Sequence, residues 1–405
     1  MLRWSMASVV LWGASLAGCS NGSDDTDTGA SDATESAAEA APDAPAEPAS
    51  APVPSSEWEV VSPEDRGMDP AMLEEARDYA MAEERNTQGV VVVHDGAIVA
   101  EWYDDGADAE SWAASWSMAK SFTSALIGIA IEEGTIPGVE EPMTTYYPDW
   151  EGTDAEDITL RDVLQMSSGL DWTETYNPAD VAESDIIALV LNEDDHLAYA
   201  AGRPAAEEPG TVWNYSSGDT MLLSGVLEQA TGMTADEYAA EKIFEPIGME
   251  QVEWWRDVEG QTLTYCCLDT TSRDFARFGL LYERDGMWGD EQVVPASWVE
   301  ESVEPAPASD GYAYQWWLYD VEGAPDDLYA ASGFDGQWIY VMPSLDLVVV
   351  RNGTYGKDPG DPVADPSLFA KYPPQGLVPD RGTVGPESWD HAEFLGPIIE
   401  SLDGT

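Results

Sequence analysis

Ser117-Met118-Ala119-Lys120 stands at the head of a long apolar run. On a helix, positions three apart share one face, so the hydroxyl and the amine meet one turn apart. A serine hydroxyl is a poor nucleophile until a base takes its proton. Lysine is a base only when neutral, and burial lowers its pKa. The neighbouring residues supply the burial. Phe122, Ala125, Leu126, Ile129 and Ala130 form one stripe, which Met118, Ile127 and Ile131 widen, and Gly134 ends the run. A helix so apolar on most sides belongs inside a domain. The plainer alternative is a chance spacing with a solvated lysine. The context speaks against it, and of Lys120, Lys242, Lys357 and Lys371 only Lys120 has a serine three residues before it.

Around this stretch the chain alternates in character. Residues 70–84 read as a helix. Residues 89–94 and 97–103 are β-branched and aromatic, with Asp95-Gly96 between them, a two-residue hairpin signal. Ser115 is a candidate cap for the Ser117 helix. From 138 to about 250 the pattern is helical and loop-rich. Thr159 caps a helix to Met166, another runs over 219–231 to Gly232, and Thr234 caps the next. A further helix covers 271–283. Strand patterns return at 312–319, 337–342 and 345–351, residues 358–386 read as an irregular loop, and 389–402 closes the chain as a helix. The expected class is α+β, an α/β sandwich. A mostly antiparallel sheet is flanked by helices, with an all-helical lobe inserted at about 138–260.

Composition narrows the function. The 405 residues carry 79 Asp and Glu against 16 Lys and Arg, a net charge of −63. No basic patch is available for phosphates, so no nucleic-acid partner is expected. Such a surface suits salty water and says nothing of fold. Arg3 and the apolar run 4–17, too short to span a bilayer, read as a targeting signal. It ends in Leu16-Ala17-Gly18-Cys19, which resembles the lipobox of bacterial lipoproteins, with Cys19 as the lipidated residue. The alternative is an ordinary secretory signal. Residues 20–57, rich in Ser, Ala, Asp, Glu, Thr and Pro, read as an extended acidic tether. The expected location is the cell envelope, periplasmic or at the surface, with the folded part over 58–405. The adjacent Cys266 and Cys267 are expected to be buried thiols, because neighbouring cysteines seldom pair. His94, His196 and His391 are scattered, so neither a metal nor any other cofactor is expected.

Two further stretches carry chemistry. Trp213-Asn214-Tyr215-Ser216-Ser217 precedes a helix. A phenol beside a lysine ammonium can relay a proton, since the positive charge favours phenolate; a packed aromatic is the plainer alternative for Tyr215. Ala331-Ser332-Gly333-Phe334-Asp335-Gly336-Gln337 leads into a strand. Its glycines let backbone approach a ligand, and a backbone N–H there could join that of Ser117 as an oxyanion hole. A plain turn is the alternative.

Ser117-x-x-Lys120, Tyr215-Ser216-Ser217 and Ala331-Ser332-Gly333, in that order, resemble the signature elements of the serine β-lactamase and penicillin-binding-protein superfamily. The chain is most similar to the class C-like branch with its esterases and 6-aminohexanoate-dimer hydrolases. Thr159-Leu160-Arg161-Asp162-Val163-Leu164-Gln165-Met166-Ser167-Ser168-Gly169-Leu170, Phe244-Glu245-Pro246-Ile247-Gly248-Met249 and Thr271-Ser272-Arg273-Asp274-Phe275-Ala276-Arg277-Phe278-Gly279 support it over roughly 58–354. The resemblance implies Ser117 as acylated nucleophile, Lys120 as its base and Tyr215 as proton shuttle. It implies the N–H groups of Ser117 and Phe334 as oxyanion hole, and substrate contacts at Tyr176, Ser217, Ser332 and Gly333. Ser217 replaces the asparagine of β-lactamases, and Ala331 replaces the lysine or histidine that helps hold a substrate carboxylate. Both departures point away from β-lactams and toward a small-molecule amide or ester substrate. A D-alanyl peptidase or weak β-lactamase is the alternative enzyme, and a non-catalytic envelope-binding lipoprotein the alternative outside enzymes. A Ser-His-Asp hydrolase is disfavoured, because none of the three histidines sits in a recognisable catalytic context.

Overall fold

The computed structural model describes residues 53–54, 57–176, 181–355 and 389–403. The leader, Cys19, most of the tether and the loop expected at 358–386 lie outside the described residues.

Six strands form one antiparallel sheet in the order β2-β1-β11-β10-β9-β8. They are β1 (Thr87–His94), β2 (Ala97–Tyr103), β8 (Trp317–Leu318), β9 (Tyr329–Gly333), β10 (Gln337–Met342) and β11 (Leu347–Gly353). Strand side chains alternate between faces, and both faces are covered. Val91 and Val93 enter the larger core, while Val90 and Val92 enter a second one. The second core packs against the helix Pro70–Ala80 and the C-terminal helix His391–Glu400. The helix Ser272–Glu283 covers the other face. Gly279 lets it lie close, since a Cβ there would stand 2.5 Å from Val348 Cγ1 and 2.7 Å from Ile339 Cγ2. The β1–β2 turn has φ +47° at Asp95 and +73° at Gly96, the left-handed pair that a two-residue hairpin turn needs.

Between β2 and β8 the chain leaves this sheet. It runs through the helices Ala119–Glu132, Leu160–Leu164, Asp185–Asn192, His196–Ala201, Ser217–Thr231 and Ala235–Ala239. A small sheet of β3 (Trp112–Ala114), β5 (Leu268–Thr271) and β4 (Glu253–Trp254) stitches the start of this excursion to its end. A two-residue pair, β6 (Met287–Trp288) and β7 (Glu291–Gln292), stands apart.

Several expectations are corrected. Ser115 does not cap the Ser117 helix. Its backbone is itself helical, and its Oγ donates to Trp116 O at 2.9 Å and accepts from Leu268 N at 2.9 Å. The hydroxyl therefore ties the helix entrance to β5. The helix expected over 70–84 stops at Ala80, where Ala82 turns extended. The strand expected over 312–319 shrinks to β8, because Gln315 takes φ +64° and folds the chain back so that Ala313 N meets Trp316 O. Cys266 and Cys267 are not free thiols but a disulfide. Cys267 sits at φ +67°, so this turn carries the two side chains toward each other, which an extended or helical dipeptide would not do.

Candidate active site

Ser117 lies in the 3₁₀ turn Trp116–Met118 that opens the helix Ala119–Glu132. Trp116 enters that turn at φ +41°, a conformation that a side-chain-bearing residue adopts only when its surroundings enforce it. Lys120 is one turn on and only 1% exposed. Its Nζ lies 3.1 Å from Ser117 Oγ, 3.0 Å from Ser217 Oγ and 2.8 Å from the carbonyl oxygen of Tyr265. Burial pulls its pKa down to about 8, against an upward pull from the charge of Glu174.

Tyr215 and Ser217 come from the loop that enters the helix Ser217–Thr231. Ser216 caps that helix, its Oγ accepting from Asp219 N at 2.9 Å. Lys120 Nζ stands 5.1 Å from the centre of the Tyr215 ring, and the Ser117 side chain is the neighbour that most favours ionisation of the phenol. Trp317, Tyr312 and Trp213 pack around the same ring at 5.4, 6.1 and 6.4 Å. The expected drift toward phenolate is corrected. Burial, seconded by Glu174, raises the Tyr215 pKa well beyond the ordinary tyrosine value, and the nearby Ser117 side chain offsets only part of this. The phenol is a neutral donor at rest.

The third stretch is no plain turn. It is β9, the strand next to the β8 edge of the sheet, running into the 3₁₀ turn Phe334–Gly336. A Cβ on Gly333 would lie 2.2 Å from Ser115 O and 3.2 Å from Ser117 N. Only glycine lets β9 reach the nucleophile's backbone, and the next N–H belongs to Phe334. Arg351, fully buried, fixes the turn through Nη1 to Asp335 O at 2.7 Å and Gly336 O at 2.8 Å. Ser332 pairs with Trp338 in the ladder, and its side chain meets the Tyr319 phenol. Ala331 is buried opposite Ile339.

Two participants carried no usable sequence signal. Glu174 gathers four donors from three residues. Its Oε1 accepts from Ser217 Oγ at 2.8 Å and Tyr176 Oη at 2.8 Å. Its Oε2 accepts from Ser217 N at 2.7 Å and Trp172 Nε1 at 2.9 Å. Tyr176 thereby reaches the pocket, its ring centre 4.6 Å from that of Phe334. Among so many acidic residues one glutamate does not stand out, although Trp172, Glu174 and Tyr176 do alternate. Tyr265 contributes a carbonyl, which no side-chain pattern reports. Its ring centre lies 5.7 Å from Lys120 Nζ, and its hydroxyl meets Nδ1 of His196 at 3.1 Å, a histidine whose pKa burial lowers to about 4. Among the described residues no three His, Cys, Asp or Glu side chains gather as a metal site. Cys19 lies outside the described residues.

A buried amine against a hydroxyl, with a neutral phenol beside them, is the equipment of a nucleophilic serine hydrolase. The Beta-lactamase family model matches residues 73–368. The chain belongs to that family and is a serine hydrolase of β-lactamase fold. It is 25% identical over 289 residues to the 6-aminohexanoate-dimer hydrolase of Paenarthrobacter ureafaciens, an alignment covering 66% of this chain and 73% of that one. A solved structure from Bacillus anthracis, provisionally assigned as a 6-aminohexanoate-dimer hydrolase, is 26% identical with TM-score 0.60, covering 68% of this chain and 75% of that one. A family VIII carboxylesterase shares the fold at 16% identity and TM-score 0.56, covering 72% and 94%.

Proposed function

We propose that the protein cleaves an amide or ester of a small molecule through an acyl-enzyme on Ser117. The observation that carries this is the hydrogen inventory of Lys120. A neutral amine has two hydrogens and one lone pair. The Tyr265 carbonyl can only accept, so it takes one hydrogen. Ser217 gives its own proton to Glu174, so its oxygen accepts the second. The lone pair is left to face Ser117 Oγ, 3.1 Å away, within the reach a general base needs. Glu174 stands in for the fixed acceptor that an asparagine would supply, because a serine hydroxyl is free to rotate until something holds its proton.

In this account Ser117 Oγ attacks the substrate carbonyl carbon while its proton passes to Lys120. The oxyanion rests on the N–H groups of Ser117 and Phe334. Tyr215 gives its proton to the leaving nitrogen or oxygen and regains one from the Lys120 ammonium. Water, activated by the same pair, then releases the acid. Substrate contacts fall to Tyr176, Ser217, Ser332 and Gly333. The aromatic walls and the missing cation at Ala331 favour neutral amides and esters over β-lactams and D-alanyl peptides, whose carboxylate would find no partner there. The 6-aminohexanoate-dimer hydrolase and carboxylesterase relatives support that class.

The same proposal places the protein at the cell envelope, tethered by lipid on Cys19. Support comes from the leader alone, and among the described residues no helix is long and apolar enough to cross a membrane. Hydrolysis of p-nitrophenyl acetate tests the chemistry. The parent should turn it over, and Ser117→Ala should fall to background. Equal rates in the two would defeat the assignment.

A further inference from the structure

Cys266 and Cys267 sit between two anchors of the nucleophile's segment. On one side the Tyr265 carbonyl receives Lys120 Nζ at 2.8 Å, and the Thr264 carbonyl receives Thr123 Oγ1 at 2.9 Å. On the other side Leu268 N donates to Ser115 Oγ at 2.9 Å, and Ser115 N donates to Leu268 O at 2.8 Å. The disulfide thus lies between the group that orients the lysine and the group that seats the turn carrying Ser117. Both cysteines are buried.

A bond between adjacent residues closes almost no chain. It therefore restrains the unfolded state little and has small scope as a stability device. Its effect is local. The ring it closes contains the Cys266–Cys267 peptide, so it sets the angle at which the peptides on either side leave that ring. One of these ends in the Tyr265 carbonyl and the other leads to Leu268. Cys267 holds φ +67°, which a residue with a Cβ keeps only where its surroundings over-determine it. Backbone bonds help: Trp255 N donates to Cys267 O at 3.0 Å, and Trp254 Nε1 to Cys266 O at 2.9 Å. The carbonyl that faces Lys120 is not among those they hold.

We propose that the Cys266–Cys267 disulfide is a positioning element of the active site, keeping the Tyr265 carbonyl on Lys120 and Leu268 against Ser115, so that opening it slows acylation. This rests on the Ser117–Lys120 assignment above. Reduction by a dithiol delivers two electrons and two protons, leaves two thiols and converts the reductant to its own cyclic disulfide. The ring is then gone, and the lysine loses the acceptor that aims its lone pair.

The test uses the full chain in three forms: untreated, reduced with dithiothreitol and freed of it by gel filtration, and Cys266→Ser/Cys267→Ser. Burst kinetics with p-nitrophenyl acetate give the acylation rate and KM. Alkylation under denaturing conditions with intact-mass analysis counts the thiols. The reduced and doubly substituted forms should acylate at least about tenfold more slowly, as expected for a misplaced base. KM should stay within about twofold, since the pocket walls do not pass through the ring, and reoxidation with oxidised glutathione should restore the reduced sample. A structural role alone would not give a reversible loss confined to the rate constant. Unchanged acylation in either bond-free form overturns the proposal, as does finding Cys266 and Cys267 both alkylated in the active untreated protein. If the double variant does not fold, the reduced parent decides; if the parent resists reduction, the variant does. Ser117→Ala runs alongside. If it stays active, the active-site assignment itself has failed; if it is dead while the bond-free forms are fast, only the disulfide's role is lost.

Discussion

At the scale of single residues, the proposed chemistry turns on Lys120 and Glu174. With its pKa near 8, the lysine is largely protonated at pH 6 and becomes a base as pH rises. The ester kcat/KM should therefore climb with a midpoint near 8; a profile flat from pH 6 to 9 would remove Lys120 from the role. Glu174 acts on both position and charge. Glu174→Gln offers one carbonyl oxygen to four donors and frees the Ser217 hydroxyl. The plateau rate should drop about 10- to 100-fold, the worth of hydrogen bonds to a charged group. The midpoint should move to lower pH, because the negative charge that now favours the ammonium is gone. An unshifted midpoint would show that the carboxylate is only a wall. The gathering of Ser117, Lys120 and Tyr215 was legible in the sequence because each lies in a short motif of fixed spacing. Glu174 was not, because its partners are brought together only by the fold.

At the scale of elements, the Ser117 turn and β9 depend on each other. β9 is Tyr-Ala-Ala-Ser-Gly, a composition that carries no strand signal, and it was legible only as a glycine turn. Its last residue is glycine because the nucleophile's backbone passes directly over it. Gly333→Ala would put a methyl group 2.2 Å from Ser115 O, and one of the two segments must shift. The ester rate should fall about 10²-fold or more, the scale of a lost oxyanion donor, with a far-UV spectrum like the parent's. Near-parent activity would mean that the Phe334 N–H is not used. The β1–β2 hairpin and the long apolar helix were plain from periodicity, which local sequence sets. The two- to four-residue strands of the small sheet were not, since they exist only through partners far along the chain.

Over the whole molecule, charge governs stability. A net charge of −63 makes the compact state repel itself, and salt screens that repulsion. The melting temperature should rise steadily from about 0.1 to about 2 M KCl, well past the point where the Debye length falls below side-chain spacing. A value independent of salt would reject this. Buried carboxyls act in the same sense with pH. Burial raises Asp219 and Glu283 to about 7 and Asp274 to about 6. In the unfolded chain these groups release their protons near 4, so the fold holds protons that the unfolded chain has lost. Their contribution is complete below the unfolded value and disappears as pH passes the folded ones. The protein should melt higher at pH 5.5 than at pH 8, the direction that weaker surface repulsion also favours.

The central claim is that Ser117 becomes acylated because a buried amine takes its proton. Intact-mass analysis of the parent and of Ser117→Ala, quenched in acid within the first turnovers of an activated ester, tests it most directly. The parent should gain one acyl mass, located by peptide mapping on Ser117, and the variant should gain none. An adduct of equal size on the variant, or turnover with no adduct on the parent at any quench time, would contradict the account.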